Sequence, residues 1–285
     1  MLLSNDPRAA EYNPPAPVPC EYCGAPRYTK GILFTGKRVL WIPAGPEACQ
    51  CAEAQAAKAA AEAAAEAERL AQEQAEARAR ELVRIEKIIG SSGVGERFKN
   101  RTFEKFRTEP DNITAYKTAR GYADNFAKLM EKEKNGLVFA GPPGTGKTHL
   151  AASVANQLMN NGVPVVFTTM IDLLGKIKAT FDAERTTANE ADVMRSYKTV
   201  DLLIIDDMGK EQPTNWALAK MYEIINARYE NYKPVIITTN YSADELTRRL
   251  TPKDGDDTTA AACIDRILET TYTVALAGES WRRRS

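Results

Sequence analysis

Four apolar residues, Leu137-Val138-Phe139-Ala140, pass without a break into Gly141-Pro142-Pro143-Gly144-Thr145-Gly146-Lys147-Thr148, and a helical pattern follows from His149 to Leu158. Buried strand, glycine-rich loop and helix in that order leave few folds open, because G-x-x-x-x-G-K-[ST] works only in that setting. The glycines let backbone N–H groups wrap phosphate oxygens, and the helix N-terminus adds a favourable dipole. Gly141 to Thr148, with His149 behind them, are therefore the candidate nucleotide-binding residues. Lys147 would reach the β- and γ-phosphates, and the Thr148 hydroxyl would ligate Mg²⁺.

A second element agrees with the first. Asp201-Leu-Leu-Ile-Ile205 reads as a fully buried strand ending in Asp206-Asp207. Parallel sheets bury both strand faces, and their ligands collect at the carboxyl ends of the strands. Asp206 would hold Mg²⁺, directly or through water, and Asp207 would orient or deprotonate an attacking water; the alternative is a pair of helix-capping aspartates. Val235-Ile-Ile-Thr-Thr239 is another buried strand, ending in Asn240. An amide there can hold the attacking water or sense the γ-phosphate, although asparagine after a strand is also an ordinary turn residue.

Composition excludes several classes. The 285 residues carry 38 basic and 38 acidic side chains, so there is no general basic coat and any nucleic-acid contact must be local. No apolar run approaches the roughly 18–20 residues that span a bilayer, and Met1-Leu2-Leu3 is too short for a signal sequence, so the expectation is a soluble cytoplasmic protein without membrane contact. With His149 the lone histidine, a histidine-based triad or histidine-rich metal site is disfavoured. Between Ala52 and Arg80, 15 of 29 residues are alanine, which favours helix and buries little. The chain divides accordingly into a head (1–51), an alanine-rich arm with a hinge (52–95) and a globular remainder (96–285).

The head holds Cys20, Cys23, Cys49 and Cys51, a C-x2-C and a C-x-C separated by 25 residues. In a reducing compartment such pairs point to metal more than to disulfides, and with no histidine nearby the set would be an all-thiolate zinc site. Ile32, Phe34, Val39 and Trp41 flank a Thr35-Gly36-Lys37 turn, as in a hairpin between two knuckles. A head this small would draw much of its folding free energy from the metal. The alternative is four unligated cysteines in a proline-rich leader (Pro14, Pro15, Pro17, Pro19). Cys263 reads as a small buried apolar residue. From Ala52 to Ile89 there is no Gly or Pro, which predicts a helix of roughly 55 Å. Its end, with Leu70, Leu82, Val83, Ile85, Ile88 and Ile89, could dock on something; the readings are a solvated spacer or a coiled-coil partner site. Gly90-Ser91-Ser92-Gly93-Val94-Gly95 reads as a hinge.

Leu202 to Asp207 with Met208-Gly209, then Ile225-Asn226-Ala227-Arg228-Tyr229, Thr238-Thr239-Asn240-Tyr241-Ser242 and Gly278-Glu279-Ser280-Trp281-Arg282, resemble the DnaC/DnaI helicase loaders. These share a branch of the AAA+ ATPases with the IstB transposition ATPases. The resemblance runs from about Phe98 onward, and the cysteine head is similar to the zinc-binding N-terminal domain with which DnaI-type loaders grip the replicative helicase, a head IstB proteins lack.

The resemblance implies an α/β fold: an AAA+ P-loop core with a parallel five-stranded sheet (137–140, 164–168, 201–205, 235–239, 272–276) and no full lid domain. It implies ATP, Mg²⁺ and Zn²⁺ as cofactors. Arg266 falls where the family places an arginine finger donated to the neighbouring subunit's nucleotide, the alternative being a surface arginine on a helix. Arg282 matches an arginine that senses γ-phosphate in cis, or belongs to a solvated basic tail. Asn240 corresponds to the first sensor residue. The segment from Ile171 to Phe181, with Lys176 and Lys178, looks like the helix that lines a single-stranded DNA channel, and Trp216 sits where such proteins carry an aromatic near DNA; a solvated face is the alternative. Two departures stand out. Asp207 replaces the usual glutamate, which bears on turnover rate, and only about 45 residues follow Asn240, so a neighbouring subunit would close over the nucleotide.

The implied function is a loader that hydrolyses ATP to ADP and phosphate, slowly and under partner control, and brings a hexameric replicative helicase onto single-stranded DNA while associating with copies of itself. The rivals are an IstB-like transposition helper acting on duplex DNA with a transposase, and a nucleotide-binding adaptor with negligible hydrolysis.

Overall fold

Apolar residues adjacent in sequence go to opposite faces of the central sheet, and both faces are covered. The computed structural model describes residues 1–34, 38–89, 96–181, 189–211 and 214–281, and the chain divides into two units, Met1–Gln74 and Ala75–Ser285.

In the first unit, β1 (Leu2–Leu3) pairs antiparallel with β4 (Thr29–Phe34), which pairs with β5 (Arg38–Pro46); the short strands β2 (Val18–Pro19) and β3 (Pro26–Arg27) pair with each other. Ile32 stands opposite Leu40 and Leu33 opposite Val39, the expected hairpin register. The Thr35-Gly36-Lys37 turn lies outside the described residues. Helix α1 (Ala52–Ile89) begins in this unit and runs unbroken for 38 residues. The exposed ion pairs along it, such as Arg69 with Glu66 and Arg80 with Glu76, add only tenths of a kcal/mol each, about 0.3–0.5. Gly90 to Gly95, read as a hinge, lies outside the described residues.

The second unit takes the end of α1, then α2 (Glu96–Lys99), α3 (Ile113–Asp124), α4 (Phe126–Leu129), β6 (Gly136–Ala140), α5 (Lys147–Asn160), β7 (Val165–Thr169), α6 (Met170–Ala179), α7 (Glu190–Thr199), β8 (Leu202–Met208), α8 (Asn215–Glu230), β9 (Val235–Thr239), α9 (Ala243–Leu250), α10 (Thr258–Thr270) and β10 (Thr271–Ala275). The five strands lie in the order β10-β6-β9-β8-β7, all parallel. On one face Val138, Val166, Leu203, Ile205 and Ile237 pack with α6 to α10. On the other, Leu137, Phe139, Val165, Ile204 and Ile236 pack with α3, α4 and α5. The α/β sheet expected from the apolar runs is present, with β7 and β10 shifted by one residue from their anticipated limits. Ile85 near the end of α1 is fully buried in the first of these layers, and Cys263 lies there too. Among the described residues no helix is long and apolar enough to cross a membrane.

β8 runs three residues further than the sequence pattern indicated. Ile205 pairs with Ile237 and Met208 with Thr239, so three steps on β8 face two on β9. That extra residue is a bulge, which bends the strand and re-aims its side chains. Asp206 and Asp207 sit in it, and Asp207 takes a positive φ of 57°.

Candidate functional site

The loop between β6 and α5 is held in a shape that side chains would prevent. Gly141 has φ 151°, and a Cβ there would collide with the Leu276 carbonyl oxygen. Lys147 is buried, and its Nζ donates to the carbonyls of Gly141 and Pro142, both at 2.7 Å. The Thr145 hydroxyl donates to the Pro142 carbonyl at 2.9 Å, while Pro143 and Gly144 stand on the open side of the loop.

The acidic tip of β8 meets this loop directly. The Thr148 hydroxyl donates to Asp206 Oδ1 at 2.9 Å, and the Thr238 hydroxyl on β9 donates to the same oxygen at 2.5 Å. The Asp207 N–H in turn donates to Thr238 Oγ1 at 2.9 Å, so one threonine ties both aspartates to β9. Asp206 is only 4 % exposed, and burial raises its pKa although both hydroxyls and Lys210 pull the other way. A buried carboxylate with a threonine hydroxyl beside it is a donor set suited to Mg²⁺, a hard cation that takes oxygen ligands. Asp207 is more open and pairs with Lys210 at 2.8 Å.

With Asp206 buried behind Thr148, the loop, Asp207 and Asn240 line one open cleft of about 510 Å³. Its remaining wall was not anticipated from sequence. Arg101, Lys105, Phe106 and Arg107 lie in the segment before α3, and Lys210 and Trp281 complete the rim. The signal was present only as a spacing of basic residues, 101, 105 and 107, with no regular element to assign them to. This rim surrounds the glycine loop with cations, as a polyphosphate requires. His149 lines the cleft but also serves that wall: its Nε2 meets the Thr102 carbonyl at 2.9 Å and its ring stands edge-on to Phe106. Burial lowers the His149 pKa, which favours the neutral ring. The backbone N–H of Trp281 donates to the Gly144 carbonyl at 3.1 Å. Arg282 lies outside the described residues.

Residues 48–285 match the IstB-like ATP binding proteins. The chain belongs to that family. Among its relatives, the phage-like element PBSX protein XkdC of Bacillus subtilis (strain 168) is 30% identical over 174 residues, 58% of this chain and 63% of that protein. The replicative helicase loader DnaC of Escherichia coli (strain K12) is 29% identical over 174 residues, 61% of this chain and 69% of that protein. The crystal structure of the DnaC helicase loader superposes with a TM-score of 0.54 at 26% identity, covering 64% of this chain and 100% of that one. The chain thus spans a little under two thirds of XkdC, and its second unit has the AAA+ fold.

Within this IstB-like chain the other candidate residues lie elsewhere. Arg266, on α10, lies outside the cleft lining, half-buried against α8. The family-motif residue Arg228 is buried and structural: it donates to the carbonyls of Tyr197 at 2.8 Å and Pro234 at 2.7 Å, and burial lowers its pKa to about 9. Lys178 lies over the Trp216 ring at 5.1 Å, and the exposed Phe181 meets the same ring at 6.0 Å; Lys176 is exposed on the same helix.

The four head cysteines straddle the start of the family match, with Cys20 and Cys23 ahead of it. All four sulfurs lie within 4.8 Å of one another, with Cys20 to Cys51 at 3.9 Å and Cys23 to Cys49 at 3.5 Å. A tetrahedral zinc with bonds of about 2.3 Å separates its sulfurs by about 3.8 Å, so the donor set fits that ion. The Cys23 and Tyr22 N–H groups lower the Cys20 pKa to about 6, whereas Cys23 and Cys51 are raised, with crowding by the neighbouring thiols among the causes, so a cation would be needed to hold all four as thiolates.

Proposed function

We propose that this chain is an ATP-dependent helicase loader, which binds a replicative hexameric helicase through its four-cysteine head and helps place it on single-stranded DNA. The observation that carries the reading is the four-sulfur cluster ahead of an IstB-like ATPase unit, a combination in which the chain resembles the DnaI-type loaders. The similarity to DnaC supports the same role.

In the ATPase unit the chain's own residues divide the work. Backbone N–H groups from Gly141 to Thr148 cradle the phosphates, and Lys147 exchanges its loop carbonyls for phosphate oxygens. Thr148 and Asp206 are the residues that would hold Mg²⁺, which when bound neutralises charge on the β- and γ-phosphates. Asp207 and Asn240 orient the water that attacks the γ-phosphate in line, with Asp207 released from Lys210 to do so. Arg266 of an adjacent copy and Arg282 stabilise charge on the transferring group. Lys176, Lys178 and Trp216 contact the single strand through charge and stacking. Residues 1–51 act as the helicase grip, and residues 52–95 as the arm that carries it.

The family match favours one rival, a transposition helper acting on duplex DNA with a transposase. A pull-down of the intact chain from its host separates them: recovery of a hexameric helicase supports the loader, and recovery of a transposase overturns it. Deleting residues 1–74, which leaves Ile85 and the end of α1 in the second unit's core, is expected to abolish helicase association and spare nucleotide binding; a truncated chain that still co-migrates with helicase contradicts the grip.

A further inference from the structure

Arg266 is gripped by α8 in a way that a free surface arginine is not. Tyr222, Asn226 and Tyr229 are spaced i, i+4 and i+7, so they share one face of α8. The Arg266 guanidinium lies over the Tyr222 ring at 5.0 Å and the Tyr229 ring at 5.6 Å. Its Nε donates to Asn226 Oδ1 at 2.8 Å and its Nη1 to the Ala262 carbonyl at 3.0 Å. The Asn226 amide has a fixed sense, since its Nδ2 donates to Glu230 Oε1 at 2.9 Å and leaves Oδ1 for the arginine. Tyr229 is anchored from the other side, its hydroxyl donating to Glu269 Oε1 at 3.0 Å. Nε and Nη1 of the guanidinium are thus occupied, and Nη2 has no hydrogen-bond partner among the described residues.

We propose that Tyr222, Asn226 and Tyr229 are positioning residues that set Arg266 with Nη2 presented to the triphosphate bound by a second copy of this chain. The inference rests on the reading of Arg266 as a residue acting in trans. A free arginine loses much of its rotamer entropy when it is fixed on a phosphate. Holding the side chain before the neighbour arrives removes most of that cost at the moment of contact. Nη2 is a terminal nitrogen and carries two N–H donors, both of them open to phosphate oxygens. The rival explanation is that Arg266 is a strut between α8 and α10, in which case weakening its holder would harm any subunit that carries the change.

The two explanations separate in a mixing experiment with full-length chains. Lys147→Ala supplies subunits with Arg266 but a disabled phosphate loop, and Arg266→Ala supplies intact loops without the arginine. Mixed, the two are expected to hydrolyse ATP faster than either alone. Adding Asn226→Ala or Tyr222→Leu to the Lys147→Ala chain is expected to cut the recovered rate about tenfold, a loss of the order of one hydrogen bond to a charged group. The same changes in the Arg266→Ala chain, where no guanidinium is left to hold, should leave the recovered rate where it was. Equal loss in both placements, or no loss in either, overturns the holder. No recovery with the unaltered Lys147→Ala chain removes the trans reading and the holder with it. Two substitutions on different turns of α8 guard against a single variant that fails to fold, which thermal unfolding of each chain would reveal.

Discussion

Thr148 and Asp206 meet across 2.9 Å, the hydroxyl donating to Oδ1, and this contact ties the first turn of α5 to the bulged tip of β8. It brings two oxygens that suit a divalent cation together before any ligand arrives. It also keeps an acid in a place where the charged form is disfavoured, since burial raises the Asp206 pKa. The folded chain therefore holds the Asp206 proton more tightly than the unfolded chain does. Stability from this group is present below the unfolded value and is lost as pH rises through the folded one.

Asp206→Asn keeps an acceptor for the Thr148 and Thr238 hydroxyls and removes the buried charge. The expected outcome is a higher melting temperature at neutral pH, with the gain shrinking as pH falls toward the ordinary value of 3.8, and a loss of Mg²⁺-dependent nucleotide affinity of at least about tenfold. Thermal unfolding across a pH series checks it. An unchanged or lower melting temperature at neutral pH would show that the carboxylate is not strained by burial.

Gly141 tests the shape of the loop. Its φ of 151° and the Leu276 carbonyl oxygen, which occupies the space an alanine methyl would need, leave no room for a side chain. That carbonyl has little freedom to retreat, because the Leu276 N–H is itself bonded to the Ala140 carbonyl at 2.8 Å. Gly141→Ala is expected to cost about 2–3 kcal/mol in denaturant unfolding and to abolish nucleotide binding. Gly175, inside α6 with nothing within 4 Å of a Cβ, is the control: Gly175→Ala should stabilise by about 0.5–1 kcal/mol.

The end of α1 offers a contrast two residues apart. Ile85 is fully buried in the layer formed with α6 to α10, whereas Val83 is 66 % exposed. Ile85→Ala is expected to destabilise the second unit by about 2–5 kcal/mol and Val83→Ala by less than about 0.5. Similar small effects from both would mean that the helix end is not part of that core.

Metal removal should act on one unit alone. Elemental analysis is expected to give about one zinc per chain, as four thiolates require. Chelation or Cys23→Ser should unfold the head while ATP binding persists. A folded head in metal-free protein would refute the site.

The strand–loop–helix from Leu137 to Leu158 was legible because its chemistry is carried by contiguous residues, and the apolar runs marked the strands because a parallel sheet buries both faces. The bulge in β8 was not legible: it depends on β9 supplying Thr238 opposite Asp206 and Asp207, a pairing between residues 31 or 32 positions apart. Nor was the basic wall of the cleft. Arg101, Lys105 and Arg107 sit on and around a single 3-10 turn, Phe103–Lys105, whose position is fixed by His149 meeting the Thr102 carbonyl and packing on Phe106. Arg266 could be named by resemblance, but its aromatic and amide holder on α8 emerges only when α8 and α10 are packed together.

The central claim is that a triphosphate sits between the loop after β6 and the tip of β8. Isothermal titration of the full-length chain with ATP in the presence of magnesium tests it directly. The account predicts saturable uptake of about one nucleotide per chain, weakened at least about tenfold by Lys147→Ala in a protein that still melts cooperatively. No uptake by folded protein, or equal affinity in the Lys147→Ala chain, would contradict it.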